Sequence, residues 1–86
     1  MPPRLRILLV DDEADNRRIY GDVLEDEGYI VKRVAGGRAA FDAALEAVPD
    51  LVLSDVSMPG GDGLTLLGKL RADKLTARVP VVLMSG

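Results

Sequence analysis

The chain contains no cysteine, no histidine and no tryptophan, and its only aromatic residues are Tyr20, Tyr29 and Phe41. Without cysteine there is neither a disulfide nor a thiolate metal site, and without histidine the commonest general base and transition-metal ligand is missing. Whatever chemistry the chain performs therefore falls to oxygen atoms. No apolar run approaches the ~20 residues of a membrane-spanning helix, and Met1-Pro2-Pro3-Arg4 lacks the charged-then-apolar plan of a signal peptide, so the expected compartment is the cytoplasm. A surplus of basic charge is also absent. The formal net charge is −3, and Arg4, Arg6, Arg17, Arg18, Lys32, Arg33 and Arg38 are dispersed, which gives no electrostatic footprint for nucleic acid.

What remains is an aliphatic chain. Hydrophobic residues make up 48% of the 86 positions and aromatic residues 3%, so the core is built from Leu, Val, Ile and Ala, a mixture suited to closely packed parallel strands and helices. A chain of this length makes one domain, residues 1–86, burying roughly 60% of its unfolded surface.

The stretch Leu51-Val52-Leu53-Ser54-Asp55 is an apolar run that stops at an acid, too short for a helix and suited to a strand buried on both faces. It delivers Asp55 to the carboxyl end of the strand, the edge at which open α/β sheets bind ligands. Met58-Pro59-Gly60-Gly61-Asp62-Gly63 follows as a loop, with Pro59 fixing its own φ and three glycines relaxing the backbone. Leu5-Arg6-Ile7-Leu8-Leu9-Val10 repeats the pattern and delivers Asp11 and Asp12. An acidic cluster such as Asp11, Asp12, Glu13 and Asp15 also suits a helix start, with Asp15 as N-cap.

Beyond it, Ile19, Val23 and Leu24 form the apolar stripe of an amphipathic helix, with Tyr20 beside it, and Gly28 supplies a left-handed stop. Tyr29–Val34 reads as a more exposed second strand, and Arg38–Val48 as an alanine-rich second helix ended by Pro49. Leu64, Leu66, Leu67 and Leu70 form the apolar face of a third helix. Pro80-Val81-Val82-Leu83-Met84 is a fourth strand ending at Ser85-Gly86. The order β-α-β-α-β-α-β, with a helix between each pair of strands, predicts an α/β fold with a parallel sheet and right-handed crossovers.

If the first and third strands are neighbours, Asp11, Asp12 and Asp55 converge at one edge, because paired strands lie ~5 Å apart. Three carboxylates so placed repel one another and call for a cation. With oxygen donors alone, the natural occupant is a hard divalent ion, and Mg²⁺ commonly takes one or two carboxylates together with water and phosphate oxygens. A carboxylate beside such an ion is a nucleophile for phosphoryl transfer, which rests mainly on positioning and charge compensation. Asp55 is the expected nucleophile. Ser85, at the end of the fourth strand, offers a hydroxyl to a phosphoryl oxygen; the competing reading is a simple turn residue.

At these positions the sequence resembles the receiver domain of two-component response regulators. Asp55-Val56-Ser57-Met58-Pro59-Gly60-Gly61-Asp62-Gly63 is similar to the family's phospho-acceptor segment, Asp11-Asp12 after Leu8-Leu9-Val10 to its acidic pair, and Pro80-Val81-Val82-Leu83-Met84-Ser85-Gly86 to its fourth strand with a Ser/Thr switch residue. The resemblance implies a flavodoxin-like, doubly wound parallel sheet with strand order 2-1-3-4-5, of which this chain supplies the first four strands. It implies Asp55 as the phosphorylated residue, Asp12 as a metal ligand, Asp11 as one acting largely through water, and Ser57 as the donor of a backbone carbonyl to Mg²⁺. The partner it implies is a histidine kinase or phosphotransfer protein, and the role is that of a phospho-acceptor signalling domain, which at most catalyses its own phosphorylation and dephosphorylation.

Family members continue with a further helix, a fifth strand ending in a lysine, and a fifth helix. The expectation is thus a receiver truncated after its fourth strand, with phosphorylation impaired and an exposed edge at Val81–Met84 that favours a homodimer. The alternative is a non-catalytic, receiver-like assembly module acting through that dimerisation. Two other classes fit poorly. Gly63-Leu64-Thr65-Leu66-Leu67-Gly68-Lys69-Leu70 matches the spacing of a phosphate-binding loop but has Leu70 where a hydroxyl should hold Mg²⁺. An aspartate-nucleophile phosphatase needs a second Asp two residues after the first, where Glu13 and Ala14 stand.

Overall fold

A computed structural model describes residues 4–58 and 62–85 of the chain; Pro59, Gly60, Gly61 and Gly86 of the expected loop and strand end lie outside the described residues. Four strands, β1 (Arg6–Val10), β2 (Ile30–Val34), β3 (Leu51–Asp55) and β4 (Val81–Met84), alternate with helices α1 (Ala14–Asp26), α2 (Gly37–Glu46) and α3 (Gly63–Ala72). The strands form one parallel sheet in the order β2-β1-β3-β4. The expected neighbours β1 and β3 are paired, Val10 lying opposite Ser54.

Strand alternation divides the apolar residues between two layers. Leu8 and Val10 of β1 and Val52 of β3 pack with Ala40 and Ala44 of α2, Leu66 and Leu70 of α3, Met58 and Val79. Small alanines on α2 let that helix sit close to the sheet, while the leucines of α3 fill the remaining volume. Thr76, buried in the turn after α3, satisfies its hydroxyl by donating to the Leu70 carbonyl at 2.7 Å. Ile7 and Leu9 point to the opposite layer, where α1 packs on β1 and β2.

That second layer is thinner than the hydrophobic pattern predicts. Ile19 and Val23, expected to face the core with Leu24, are exposed, as is Tyr20 beside them, and Gly21 is the buried residue of α1. Arg33 of β2 holds this helix instead, donating to Glu25 at 2.7 Å and Asp22 at 3.0 Å. β3 is correspondingly not buried on both faces: Val52 and Ser54 are buried, whereas Leu51, Leu53 and Asp55 are half-buried because α1 packs mainly against β1 and β2 on their side.

Element ends correct other expectations. The N-cap of α1 is Glu13, with no side-chain hydrogen bond, and Asp15 falls within the first turn rather than capping it. Gly28, at φ 97°, stops α1 as expected, with its N–H donating to the Glu25 carbonyl and the Tyr29 N–H to the Leu24 carbonyl. This pair of bonds satisfies two carbonyls that a helix end otherwise leaves without partners. α2 ends at Glu46, short of Val48. Leu64 is 59% exposed and takes no part in the apolar face of α3, while Gly63, expected in the loop, is that helix's first residue.

Candidate functional site

The carboxyl ends of β1 and β3 carry the acids. Asp11 follows the last residue of β1 and Asp55 is the last residue of β3, so the Val10–Ser54 register sets them side by side. Asp11, Asp12 and Asp55 each present a carboxylate oxygen within 4.8 Å of the others. Asp11 is buried at 2% exposure, Asp12 is exposed and Asp55 half-buried. The cluster thus opens to solvent on the Asp12 side.

Each buried element of the site is fixed by short hydrogen bonds. The Asp11 N–H donates to the Val34 carbonyl at 3.1 Å, its carboxylate accepts from the Glu13 N–H at 2.9 Å, and its carbonyl accepts from the Arg17 guanidinium at 2.7 Å. Asp55 Oδ1 accepts from the Ser57 N–H at 3.1 Å. The Asp55 carbonyl accepts from the buried Ser54 hydroxyl at 2.9 Å. An ionised carboxylate has about four acceptor positions, and one bond to each of Asp11 and Asp55 leaves the rest for a ligand. Opposite ligands of Mg²⁺ stand ~4 Å apart, twice the ~2.1 Å metal–oxygen bond. Neighbouring ligands stand only ~3 Å apart, so oxygens that lie within 4.8 Å of one another suit a small, hard cation held partly through water rather than by all three carboxylates directly.

Ser57 and Ser85 are both exposed at the same edge. Ser85 lies one residue beyond Met84, which pairs with Asp55. The α3 N-terminus closes the loop side: Asp62 caps the helix by accepting from the Thr65 N–H at 2.8 Å, and this bond holds its carboxyl below the ordinary value of 3.8. The Gly63 N–H donates to the Val56 carbonyl at 3.0 Å, tying α3 to the residue after Asp55. Sequence reasoning overlooked Arg17, Ser54 and Gly63 as supports of the site. The helical spacing that puts Arg17 on the Asp11 carbonyl is a weak signal, and a serine inside an aliphatic strand is a stronger one.

A family model described as the response regulator receiver domain matches residues 7–86. The chain belongs to the response regulator receiver family. Among curated relatives, Response regulator PleD of Caulobacter vibrioides is 42% identical over 80 residues, covering 93% of this chain and 18% of PleD, so the chain spans less than a fifth of that relative's length. Among solved receivers, the chemotaxis protein CheY4 of Vibrio cholerae superposes with a TM-score of 0.91 at 31% identity, over 94% of this chain and 68% of that one. The receiver domain of the sensor histidine kinase PA1611 of Pseudomonas aeruginosa PAO1 gives a TM-score of 0.89 at 32% identity, over 94% of this chain and 66% of that one. That structure has a magnesium ion coordinated in its active site cleft. The flavodoxin-like fold and the receiver assignment thus agree with the acidic edge built above. No helix among the described residues is long and apolar enough to cross a membrane.

Proposed function

We propose that this receiver domain accepts a phosphoryl group on Asp55 from a histidine kinase or phosphotransfer protein, with Mg²⁺ held at Asp11, Asp12 and Asp55. The observation that carries this reading is the convergence of three strand-end carboxylates within 4.8 Å, an arrangement that is electrostatically unfavourable without a cation. The magnesium ion in the cleft of the PA1611 receiver supports the choice of metal. Bound there, Mg²⁺ supplies charge compensation for phosphoryl oxygens.

In this reading Asp12, open to solvent, is a direct ligand, and buried Asp11 acts largely through water while its bonds to the Glu13 N–H and from Arg17 keep the β1 end in place. An Asp55 carboxylate oxygen attacks phosphorus as the bond to the donor's leaving group breaks, forming an acyl phosphate on the chain. The Ser57 N–H orients Asp55, and the Ser57 carbonyl would lend an oxygen to the bound metal. The Ser85 hydroxyl, beyond Met84 in the strand next to Asp55, donates to a phosphoryl oxygen. The role is one of signalling by modification of the chain itself, in the cytoplasm, with no direct nucleic-acid contact.

Titration with Mg²⁺ followed by a phosphoryl analogue such as beryllofluoride, read by amide chemical shifts, tests this proposal. Metal-dependent analogue binding centred on Asp55 is expected; an analogue that binds elsewhere or not at all contradicts it. A second reading, self-association of the 86-residue chain, is favoured by Val82, 47% exposed on β4, a strand with β3 as its one neighbour among the described residues. An apolar strand edge of this kind pairs readily with another chain. Sedimentation at high micromolar concentration distinguishes a homodimer from a folded monomer, and the latter removes this reading.

A further inference from the structure

We infer that Gly63 is a positioning residue for Asp55: the absent side chain at the first position of α3 leaves the space in which the end of β3 holds the acceptor. A Cβ built at Gly63 stands 2.6 Å from the Asp55 carbonyl oxygen, 2.9 Å from Leu83 Cδ2 and 3.1 Å from Val56 Cα. Leu83 can rotate away, but the Asp55 oxygen belongs to the backbone of a paired strand. Conformational freedom does not explain this glycine, since among the described glycines only Gly28 has a positive φ. Close approach explains it.

The peptide behind Gly63 is held from several directions. The Ser54 hydroxyl donates to the Asp55 carbonyl at 2.9 Å, the Val56 N–H donates to the Met84 carbonyl at 2.9 Å, and the Gly63 N–H donates to the Val56 carbonyl at 3.0 Å. Just beyond, the Ser57 N–H donates to Asp55 Oδ1. A methyl group at position 63 must therefore either lift α3, losing its bond to Val56, or push the Asp55–Val56 peptide and with it the carboxylate. Leu66 and Leu70, fully buried on the same helix, resist lifting. The displacement is thus directed into the strand end that carries Asp55. Gly68 lies in the same helix with nothing within 4 Å of an added Cβ, which makes Gly68→Ala a matched control.

The inference rests on the reading of Asp55 as part of a Mg²⁺-dependent acceptor site, and the experiment separates the two. Mg²⁺ is titrated into the wild type, Gly63→Ala, Gly68→Ala and the double variant by calorimetry, with thermal melts in parallel. Loss of a residue that orients a metal ligand typically weakens binding 10–100-fold, so Gly63→Ala is expected to lose about tenfold and Gly68→Ala nothing. The double variant is expected to regain thermal stability through the better helix former at position 68, but not metal affinity. Affinity that recovers in step with stability, or a folded Gly63→Ala with wild-type affinity, overturns the positioning role. Amide shifts of the wild type give a measurement independent of the variants' folding: on adding Mg²⁺ the Gly63 resonance moves with that of Asp55 while Gly68 stays fixed, and a fixed Gly63 beside a moving Asp55 overturns the inference. If Asp11, Asp12 and Asp55 themselves show no response in the wild type, the acceptor-site reading fails first and takes the inference with it.

Discussion

Replacing Asp12 with asparagine makes the chain more stable without metal and less responsive to it. At 4.8 Å, two unit charges repel by about 1 kcal/mol in water and about 3.5 kcal/mol at an effective dielectric near 20. Asp12 is the exposed member of the cluster, so the lower figure applies. Asp12→Asn removes its repulsion with both Asp11 and Asp55, a gain of roughly 2 kcal/mol. Opposing this is the loss of a negative charge just before α1, where the helix dipole favours an acid by ~0.3–1 kcal/mol. The repulsion wins, leaving a net gain of about 1–1.5 kcal/mol, or roughly 5–10 °C in Tm for a domain of this size. Mg²⁺ at a hundred times its Kd stabilises the wild type by about 2.7 kcal/mol, and the variant by much less. Thermal melts at low ionic strength, with and without Mg²⁺, read both effects. A metal-free variant that melts below the wild type, or one whose Mg²⁺-induced rise equals that of the wild type, refutes the electrostatic account of the site.

Leu66→Ala deletes a fully buried side chain between α3 and the sheet and is expected to cost about 2–5 kcal/mol, measured by urea unfolding; a loss below 1 kcal/mol means that α3 is not a structural wall of the core. Asp62, held below its ordinary value of 3.8 chiefly by the Thr65 N–H, contributes stability that is present above that value and lost as pH falls through its folded-state value. Asp62→Ala should therefore melt lower than the wild type near neutrality, and the difference should shrink as the solution is acidified below 3.8. A difference that persists unchanged in acid would assign the effect to something other than the ionised cap.

Much of this molecule is legible in its residues, and each miss has its own physical cause. Short aliphatic runs ending in Asp identify β1 and β3, and once these strands pair their ~5 Å spacing brings the acids together. Gly28 and Pro49 mark breaks that backbone sterics enforce. The exposed Ile19 and Val23, and the half-buried Leu51 and Leu53, were less readable: hydrophobic periodicity indicates which face of an element seeks cover, whereas the cover itself depends on which elements lie alongside. Local caps failed for a different reason. Asp15 and Glu13 are both acceptable near a helix start, and only the chain's path from β1 decides which occupies the N-cap. The sequence places Gly63 in a glycine-rich loop because it shows the absence of a side chain but not the neighbour that would collide with one.

The acceptor role of Asp55 is tested most directly by incubating the chain with acetyl phosphate and Mg²⁺ and following its intact mass, with the modified residue located by reductive trapping and peptide mapping. A mass increment of one phosphoryl group is expected on Asp55, dependent on Mg²⁺ and absent from Asp55→Asn. An unmodified wild type, or a phosphoryl group that persists in Asp55→Asn, contradicts it.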